Sequence, residues 1–122
     1  MILLDSSAIV EIIRGTSNGK EILDKLKGEV FVSPFSIYEI FLGLKQNENI
    51  LLERLLNTSQ ILNFDVGSAM SSAHIMDTLT KKGQKINIID IFIASIALSN
   101  NLTLVSLDKD FTKIDNLKTL IF

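Results

Sequence analysis

Cysteine is absent from this chain of 122 residues, and histidine occurs only once, at position 74. The lack of cysteine excludes disulfide bonds, thiolate metal sites and cysteine nucleophiles. With a single histidine as well, the chain is short of the ligands that usually hold zinc. A metal site in this protein would therefore rely on oxygen ligands.

Linker-like segments, charge blocks and internal repeats are also missing, so residues 1–122 are predicted to form a single domain. Hydrophobic residues make up 47% of the chain, and the mean hydropathy is +0.35. No apolar run approaches the ~20 residues that a membrane-spanning helix needs. The apolar surplus instead predicts a buried parallel sheet together with an exposed patch that binds another protein.

A basic start and a secretory cleavage site are not found at the N-terminus, so a cytoplasmic location is expected. The formal net charge is −2, which argues weakly against nucleic-acid binding. That argument depends on where the acidic residues lie. If four of them line one pocket, the remaining surface carries a net positive charge, and nucleic-acid binding stays open.

Short apolar segments alternate with amphipathic ones along the whole chain. Strands are predicted at residues 2–4, 30–33, 60–64, 102–106 and 117–122, and helices at 6–14, 20–28, 34–44, 47–57, 66–82 and 90–99, with a turn at 15–19. This alternation predicts an α/β fold, a three-layer α/β/α sandwich around a mostly parallel sheet of four to five strands. Because helices outnumber strands, helix pairs are expected in some crossovers.

Four acidic residues are expected at one edge of this sheet. Asp5 and Asp108 each follow a strand, Asp90 opens the helix before residues 102–106, and Glu39 lies in the helix after residues 30–33. In open parallel sheets, ligands bind beyond the carboxyl ends of the strands. The four carboxylates are therefore predicted to converge.

Each acid also has a simpler explanation, and these alternatives stay open. Asp5 and Asp90 suit helix caps, Glu39 suits a solvated surface, and Asp108 with Asp110 suits an acidic turn. Together, however, carboxylates a few ångströms apart repel one another unless a cation lies among them. Oxygen ligands favour Mg²⁺ or Mn²⁺, which can polarise a phosphodiester and generate hydroxide from bound water.

The order of these motifs resembles PIN-domain ribonucleases, specifically the VapC-type toxins of toxin–antitoxin pairs. The family pattern begins with a hydrophobic strand ending in Asp, here Ile-Leu-Leu-Asp5-Ser-Ser, and continues with Tyr-Glu39 and a following Gly43. An Asp then heads an Ile-Ala helix, here Ile-Asp90-Ile-Phe-Ile-Ala. The last element is Ser106-Leu-Asp-Lys-Asp-Phe, in which Ser replaces the more usual Thr.

The resemblance covers the whole chain and implies a metal-dependent endoribonuclease. It implies that Asp5, Glu39 and Asp90 are catalytic metal ligands, that Asp108 is the fourth, and that Asp110 is its rival. Water held by Mg²⁺, or by Mn²⁺ in its place, would attack the RNA phosphodiester in line and leave a 5′-phosphate.

Two kinds of hydroxyl enter the predicted site. Ser6 or Ser7 would position a metal-bound water or a phosphate, although a helix-capping role explains either equally well. Ser106 keeps the hydroxyl of the family's threonine.

The resemblance also implies a cognate antitoxin, an RNA substrate and a homodimer. Apolar positions of the early helices would form the antitoxin groove or the dimer face, unless they are simply core: Ile9, Ile12, Ile13, Ile22, Leu23, Leu51 and Leu55. Phe35 and Tyr38 are candidates for base stacking, with core packing favoured for at least one. His74 is expected to be structural.

Two other classes of protein share parts of this pattern. A response-receiver domain also holds Mg²⁺ among acids at strand ends, with Asp65 as the possible phosphoacceptor, but Asp5 lacks the paired acid that such a domain needs. A catalytically inactive interaction module is the other alternative, and the presence of all four acids argues against it.

Overall fold

The computed structural model describes residues 1–43 and 45–122, and in these residues a five-stranded parallel sheet lies between two layers of helices. The strand order is β3-β2-β1-β4-β5. The elements are β1 (Ile2–Leu4), α1 (Ser6–Arg14), α2 (Ser17–Lys25), β2 (Val30–Val32), α3 (Pro34–Gly43), α4 (Asn49–Thr58), β3 (Gln60–Ile61), α5 (Val66–Lys81), α6 (Ile88–Ser99), β4 (Thr103–Ser106) and β5 (Thr119–Ile121), with 3-10 helices at Gln46–Glu48 and Lys109–Lys113. The predicted α/β/α class is confirmed, as are the paired helices in the first three crossovers.

The central strand β1 lies at the point where the strand order changes direction. From β1 the chain builds β2 and β3 on one side, and β4 and β5 on the other. Leu3 is paired with Phe31 of β2 and with Leu104 of β4. In parallel sheets the crevice at such a switch point is where ligands bind. The residues that follow β1 and β4 therefore border the crevice.

Alternation along the strands divides the core into two layers. Leu3 faces one side and Leu4 the other, and both are fully buried, because successive strand residues point to opposite faces. The layer containing Leu3 is completed mainly by α5 and α6, and the layer containing Leu4 by α1 to α4. Helices on both faces explain why β1 and β2 are apolar throughout rather than alternating.

The turn predicted at residues 15–19 is shorter than expected. Gly15 ends α1 with a left-handed backbone conformation (φ 64°), but α2 already begins at Ser17. Thr16 caps this helix, since its Oγ1 accepts a hydrogen bond from Gly19 N–H at 3.0 Å. A side chain at Gly19 would collide with the Glu11 carbonyl, so glycine permits the close approach of α1 and α2.

Several other boundaries differ from those predicted. The edge strand β3 has two residues rather than the five predicted at 60–64, and the helix predicted at 47–57 begins as a 3-10 turn before α4. Residue 44, the predicted end of α3, lies outside the described residues. Asp65 caps α5 by accepting a hydrogen bond from Ser68 N–H at 2.8 Å. Neither described range contains a helix long and apolar enough to traverse a bilayer.

Candidate metal centre

Asp5 is the most buried acid of the site. It follows β1 directly and occupies the N-cap position of α1, where its backbone is extended, yet its side chain forms no capping hydrogen bond. The residue is only 3% exposed. Its Oδ2 instead accepts hydrogen bonds from Ser7 Oγ at 2.9 Å and from Ser106 Oγ at 2.7 Å. Asp5 therefore occupies a helix-cap position, but serine hydroxyls orient its carboxylate into the crevice.

Glu39 reaches the same crevice from the second turn of α3. The start of this helix is tied to β1, because Ser36 N–H donates to Ser33 Oγ at 3.2 Å and Ser36 Oγ donates to the Leu4 carbonyl at 3.5 Å. Glu39 Oε1 accepts a hydrogen bond from Ser6 Oγ at 3.0 Å. Burial raises the pKa of Glu39, the Ser6 hydroxyl opposes this rise, and the charge of Asp5 adds to it.

Asp90 lies in the first turn of α6 without capping it. Asn87 is the cap, since its Oδ1 accepts a hydrogen bond from Ile89 N–H at 2.9 Å. Asp90 is half-buried, and burial raises its pKa to about 7, with further contributions from the charges of Asp5 and Glu39. A carboxyl group with so high a pKa lacks the positive charge that would stabilise its ionised form.

These three acids meet although they are far apart in the sequence. One carboxylate oxygen from each of Asp5, Glu39 and Asp90 lies within 4.8 Å of the others. In the described part of the chain, no lysine or arginine forms an ion pair with any of the three. The donor set consists of oxygens alone, which is the set that Mg²⁺ and Mn²⁺ prefer. The residues present therefore fit a divalent cation.

Asp108 and Asp110 lie beside this cluster but outside the group of three. Asp108 Oδ1 accepts a hydrogen bond from Asp110 N–H at 2.9 Å, which caps the short helix Lys109–Lys113. The Asp110 carboxylate forms an ion pair with Lys113 at 2.8 Å. Both charges help to raise the pKa of Asp90, Asp108 more than Asp110. Which of them completes the site stays a prediction.

The cavity beside the acids gives a ligand access to them. It has a volume of ≈ 440 Å³ and runs between α1 and α3, lined by Ser6, Ser7, Val10, Glu11, Ile13, Arg14, Glu39, Ile40, Gly43, Glu48 and Leu107. The ion pair between Arg14 Nε and Glu48 Oε2, at 2.9 Å, forms part of this lining. The site is thus open to solvent next to Ser6 and Glu39.

Other residues singled out from the sequence lie away from the acids or have structural roles. The ring of Phe35 packs against Phe64 and Phe92, with centroids 5.6 Å and 5.3 Å away, whereas Tyr38 is 57% exposed. His74 is exposed on α5 and lines a separate cavity. Asp65 is occupied as the cap of α5, which removes the phosphoacceptor that a receiver domain requires.

Comparison with known proteins agrees with this fold. The sequence model described as PIN domain matches residues 2–117, nearly the whole chain. The chain therefore belongs to the PIN domain family.

Its curated relatives define the type of PIN domain. Ribonuclease VapC3 of Methanocaldococcus jannaschii is 32% identical, over 77% of this chain and 95% of that protein. Ribonuclease VapC1 of Rickettsia felis is 27% identical, over 98% of this chain and 94% of that protein. Among solved structures, VapBC2 of Rickettsia felis bound to a DNA fragment from its promoter aligns with a TM-score of 0.88 and 25% identity, covering 100% of this chain and 99% of that one. The resemblance to VapC-type proteins read from the motifs is confirmed.

Proposed function

We propose that this protein is an endoribonuclease that depends on Mg²⁺ or Mn²⁺ and acts as the toxin of a type II toxin–antitoxin pair. The observation that carries the proposal is the meeting of three carboxylate oxygens within 4.8 Å at the switch point of the sheet. The raised pKa of Asp90 supports it, because a bound cation would remove the repulsion that causes part of this rise. The names of the curated relatives agree with a ribonuclease.

The proposed ligands are Asp5, Glu39 and Asp90, with Asp108 as the fourth acid. When bound, the cation would polarise the scissile phosphodiester and lower the pKa of a bound water. Hydrolysis adds one water across the bond between phosphorus and the 3′ oxygen. The upstream fragment then ends in a 3′-hydroxyl, and the downstream fragment begins with a 5′-phosphate.

The chain's own residues would orient the ligands and admit the substrate. Ser7 and Ser106 hold one oxygen of Asp5, and Ser6 holds one oxygen of Glu39. The cavity along α1 accepts the RNA strand next to these acids. Because serine hydroxyls hold the carboxylates of Asp5 and Glu39 before any ligand binds, these two groups need little reorganisation at the moment of reaction.

A protein antitoxin would cover an apolar groove between α1 and α4. Of the positions predicted for this role, Ile9, Ile13 and Ile22 are buried core, whereas Leu23 and Leu51 are 48% and 42% exposed. Ile12, Leu51 and Leu55 line a cavity of ≈ 280 Å³ with Arg54 at its edge. Such a groove suits an amphipathic helix.

A homodimer in the cytoplasm is the proposed form of the free toxin. α3 exposes three large apolar side chains, Tyr38, Phe41 and Leu42, the last two at 61% and 72%. Exposed apolar surface of this kind marks a protein interface more often than a free surface. Sedimentation of the protein and of Phe41→Glu would test this, with a dimer for the first and a monomer for the second.

The decisive experiment compares RNA cleavage by the wild type with cleavage by Asp5→Asn and Asp90→Asn, in Mg²⁺, in Mn²⁺ and in EDTA. Both variants should retain the fold and lose cleavage, and EDTA should silence the wild type. Asp77→Asn is the matched control, because Asp77 is an exposed acid on α5 whose ion pair among the described residues is with Lys81. Equal cleavage by the wild type and both site variants would rule out the proposed centre, and mapped ends without a 5′-phosphate would rule out this chemistry.

A further inference from the structure

The two oxygens of Asp5 are used in different ways. Oδ2 is close to two hydroxyls, Ser7 Oγ at 2.9 Å and Ser106 Oγ at 2.7 Å. Oδ1 lies 3.5 Å from Ser6 Oγ, and that hydroxyl is closer to Glu39, at 3.0 Å. A serine hydroxyl has one hydrogen to donate, so Ser6 satisfies Glu39. Within the described residues, Oδ2 is therefore fixed by the chain and Oδ1 is left available.

Ser7 and Ser106 are themselves fixed by the turn that follows β4. Leu107 N–H donates to Ser7 Oγ at 3.0 Å, and Asp108 N–H donates to Ser106 Oγ at 3.0 Å. Each hydroxyl receives a backbone hydrogen on one side, so its own hydrogen is free to point away from the turn. Two consecutive backbone amides thus orient two hydroxyls toward one carboxylate oxygen of Asp5.

The hydrogens in this network can be counted. Ser7 Oγ and Ser106 Oγ are also 3.1 Å apart, so these two oxygens and Asp5 Oδ2 form a triangle of short contacts. Two hydroxyl hydrogens can serve at most two of its three sides. Either both serines donate to Oδ2, or one donates to the other, which donates to Oδ2. In each arrangement Oδ2 is the final acceptor, and Ser7 joins α1 to the turn after β4.

We propose that Ser7 is a positioning residue of the metal centre: its hydroxyl holds Asp5 by Oδ2 so that Oδ1 is presented to the cation. This inference rests on the proposed function, since it gives Asp5 a ligand oxygen. Ser7 forms no hydrogen bond with Glu39 or Asp90 among the described contacts, so it acts through Asp5. The residue lies in the first turn of α1, where alanine is a good helix former, so the main structural cost of Ser7→Ala is the hydrogen bond that Leu107 N–H loses.

The test measures Mn²⁺ affinity directly, by calorimetry on the purified full chain, for the wild type, Ser7→Ala and Ser7→Thr. Groups that orient a metal ligand typically contribute about 10- to 100-fold to affinity, and Ser7→Ala should lose affinity in that range. Ser7→Thr keeps the hydroxyl and should bind nearly as the wild type does. Ser95→Ala is the control, because Ser95 is a buried serine whose hydroxyl donates to the Phe92 carbonyl at 2.7 Å within α6. It should leave the affinity unchanged.

Kinetics separates positioning from general damage. In Ser7→Ala the ligand oxygen is still present but poorly oriented, so high Mn²⁺ should restore most of kcat while KM for RNA stays unchanged. In Asp5→Asn, which lacks the charged ligand, high Mn²⁺ should restore little. If Ser7→Ala does not give the wild-type circular dichroism spectrum, Ser7→Cys replaces it, since a thiol is of similar size and a weaker donor.

The outcomes distinguish this inference from the proposed function. A wild type that binds Mn²⁺ and cleaves RNA, with equal affinity in a folded Ser7→Ala variant, overturns the role of Ser7 alone. A wild type that neither binds Mn²⁺ nor cleaves RNA overturns the proposed function itself. Loss of affinity in Ser95→Ala as large as in Ser7→Ala would show a general packing effect and would also overturn the role.

Discussion

Two glutamates line the same cavity, but in the described part of the chain only one of them has a positively charged partner. Glu48 accepts hydrogen bonds from Arg14 Nε at 2.9 Å and from Lys45 N–H at 3.0 Å. These partners hold the pKa of Glu48 below its usual range. Among the described contacts, Glu39 has one serine hydroxyl and two neighbouring acids, and its pKa is raised by burial. One carboxylate is neutralised by the chain, and the other is not.

This difference shows where the protein depends on something outside itself. Burying acids without a counter-charge is unfavourable, and the ion pair of Arg14 with Glu48 shows that this fold can supply one nearby. At Asp5 and Glu39 it supplies serine hydroxyls instead, and among the described contacts Asp90 has no lysine or arginine partner. Hydroxyls orient a carboxylate without neutralising it, so the site stays available for a cation.

Replacing each glutamate by glutamine should give the largest effect expected. One variant should lose cleavage activity, and the other should lose thermal stability. Glu39→Gln removes a proposed ligand, and because a bound metal contributes several kcal/mol to the reaction, cleavage should fall roughly 100- to 1,000-fold with no loss of thermal stability. Glu48→Gln breaks the pair with Arg14 and should lower the melting temperature by a few degrees, while Mn²⁺ affinity is kept. Cleavage assays and thermal melts on both variants check this. The comparison fails if Glu48→Gln abolishes metal binding or if Glu39→Gln cleaves normally.

Metal binding should stabilise the acid cluster and leave the ion pair unaffected. With Mg²⁺ or Mn²⁺ at a hundred times its Kd, linkage raises the free energy of unfolding by about 2.7 kcal/mol. Asp5→Asn should lose this gain, whereas Glu48→Gln should keep it. Chemical denaturation with the ion and with EDTA measures both. An equal gain in the wild type and in Asp5→Asn would mean that the cation binds elsewhere.

Much of this arrangement could be predicted from the sequence, because it depends on order along the chain. Asp5 directly follows an apolar strand, and Asp90 interrupts a segment with no other polar side chain nearby. Parallel strands bring such residues to one edge, so the α/β/α class and the meeting of Asp5, Glu39 and Asp90 followed from patterns alone.

The details that depend on three-dimensional contacts could not be predicted in the same way. Ser7 and Ser106 are 99 residues apart, and nothing in the sequence indicates that both hydroxyls reach the same oxygen of Asp5. The early start of α2 depends on the Thr16 cap and on the closeness of Gly19 to Glu11, which are tertiary effects. The Ser-Ser pair after Asp5 and the serine at position 106 indicated hydroxyls in the site, but they did not separate the role of Ser6 from that of Ser7.

The two acids after β4 also differ in whether a positively charged side chain pairs with them, as Glu48 and Glu39 do. Asp110 is neutralised by Lys113 at 2.8 Å, whereas Asp108 accepts only a backbone hydrogen bond from Asp110 N–H at 2.9 Å among the described contacts. Asp108→Asn should therefore reduce cleavage about tenfold, equivalent to ~1.4 kcal/mol, and Asp110→Asn by much less. Initial rates at subsaturating RNA measure this. A larger loss for Asp110→Asn would make Asp110 the fourth acid.

The smallest effect expected is a dependence of stability on pH. Its direction should be opposite for acids whose pKa is raised by the fold and for acids whose pKa is lowered. The pKa of Asp90 is about 7 in the folded protein and about 4 when unfolded, so between these values the folded state binds more protons and stability falls as pH rises. Glu39 acts in the same direction. Glu48 acts in the other, because its lowered pKa gives stability that is present above its ordinary pKa and is lost as pH falls through the folded value.

Metal-free wild type should therefore lose a few degrees of melting temperature between pH 5 and pH 7.5, values chosen to bracket most of the Asp90 titration. Asp90→Asn should remove most of this loss, because asparagine does not ionise. Saturating Mg²⁺ should also remove it, since the cation favours the ionised carboxyl. An equal loss in the wild type and in Asp90→Asn would assign the effect to other groups. In that case the buried Asp90 carboxyl would not explain the difference between the acid cluster and the acids that have a positively charged partner.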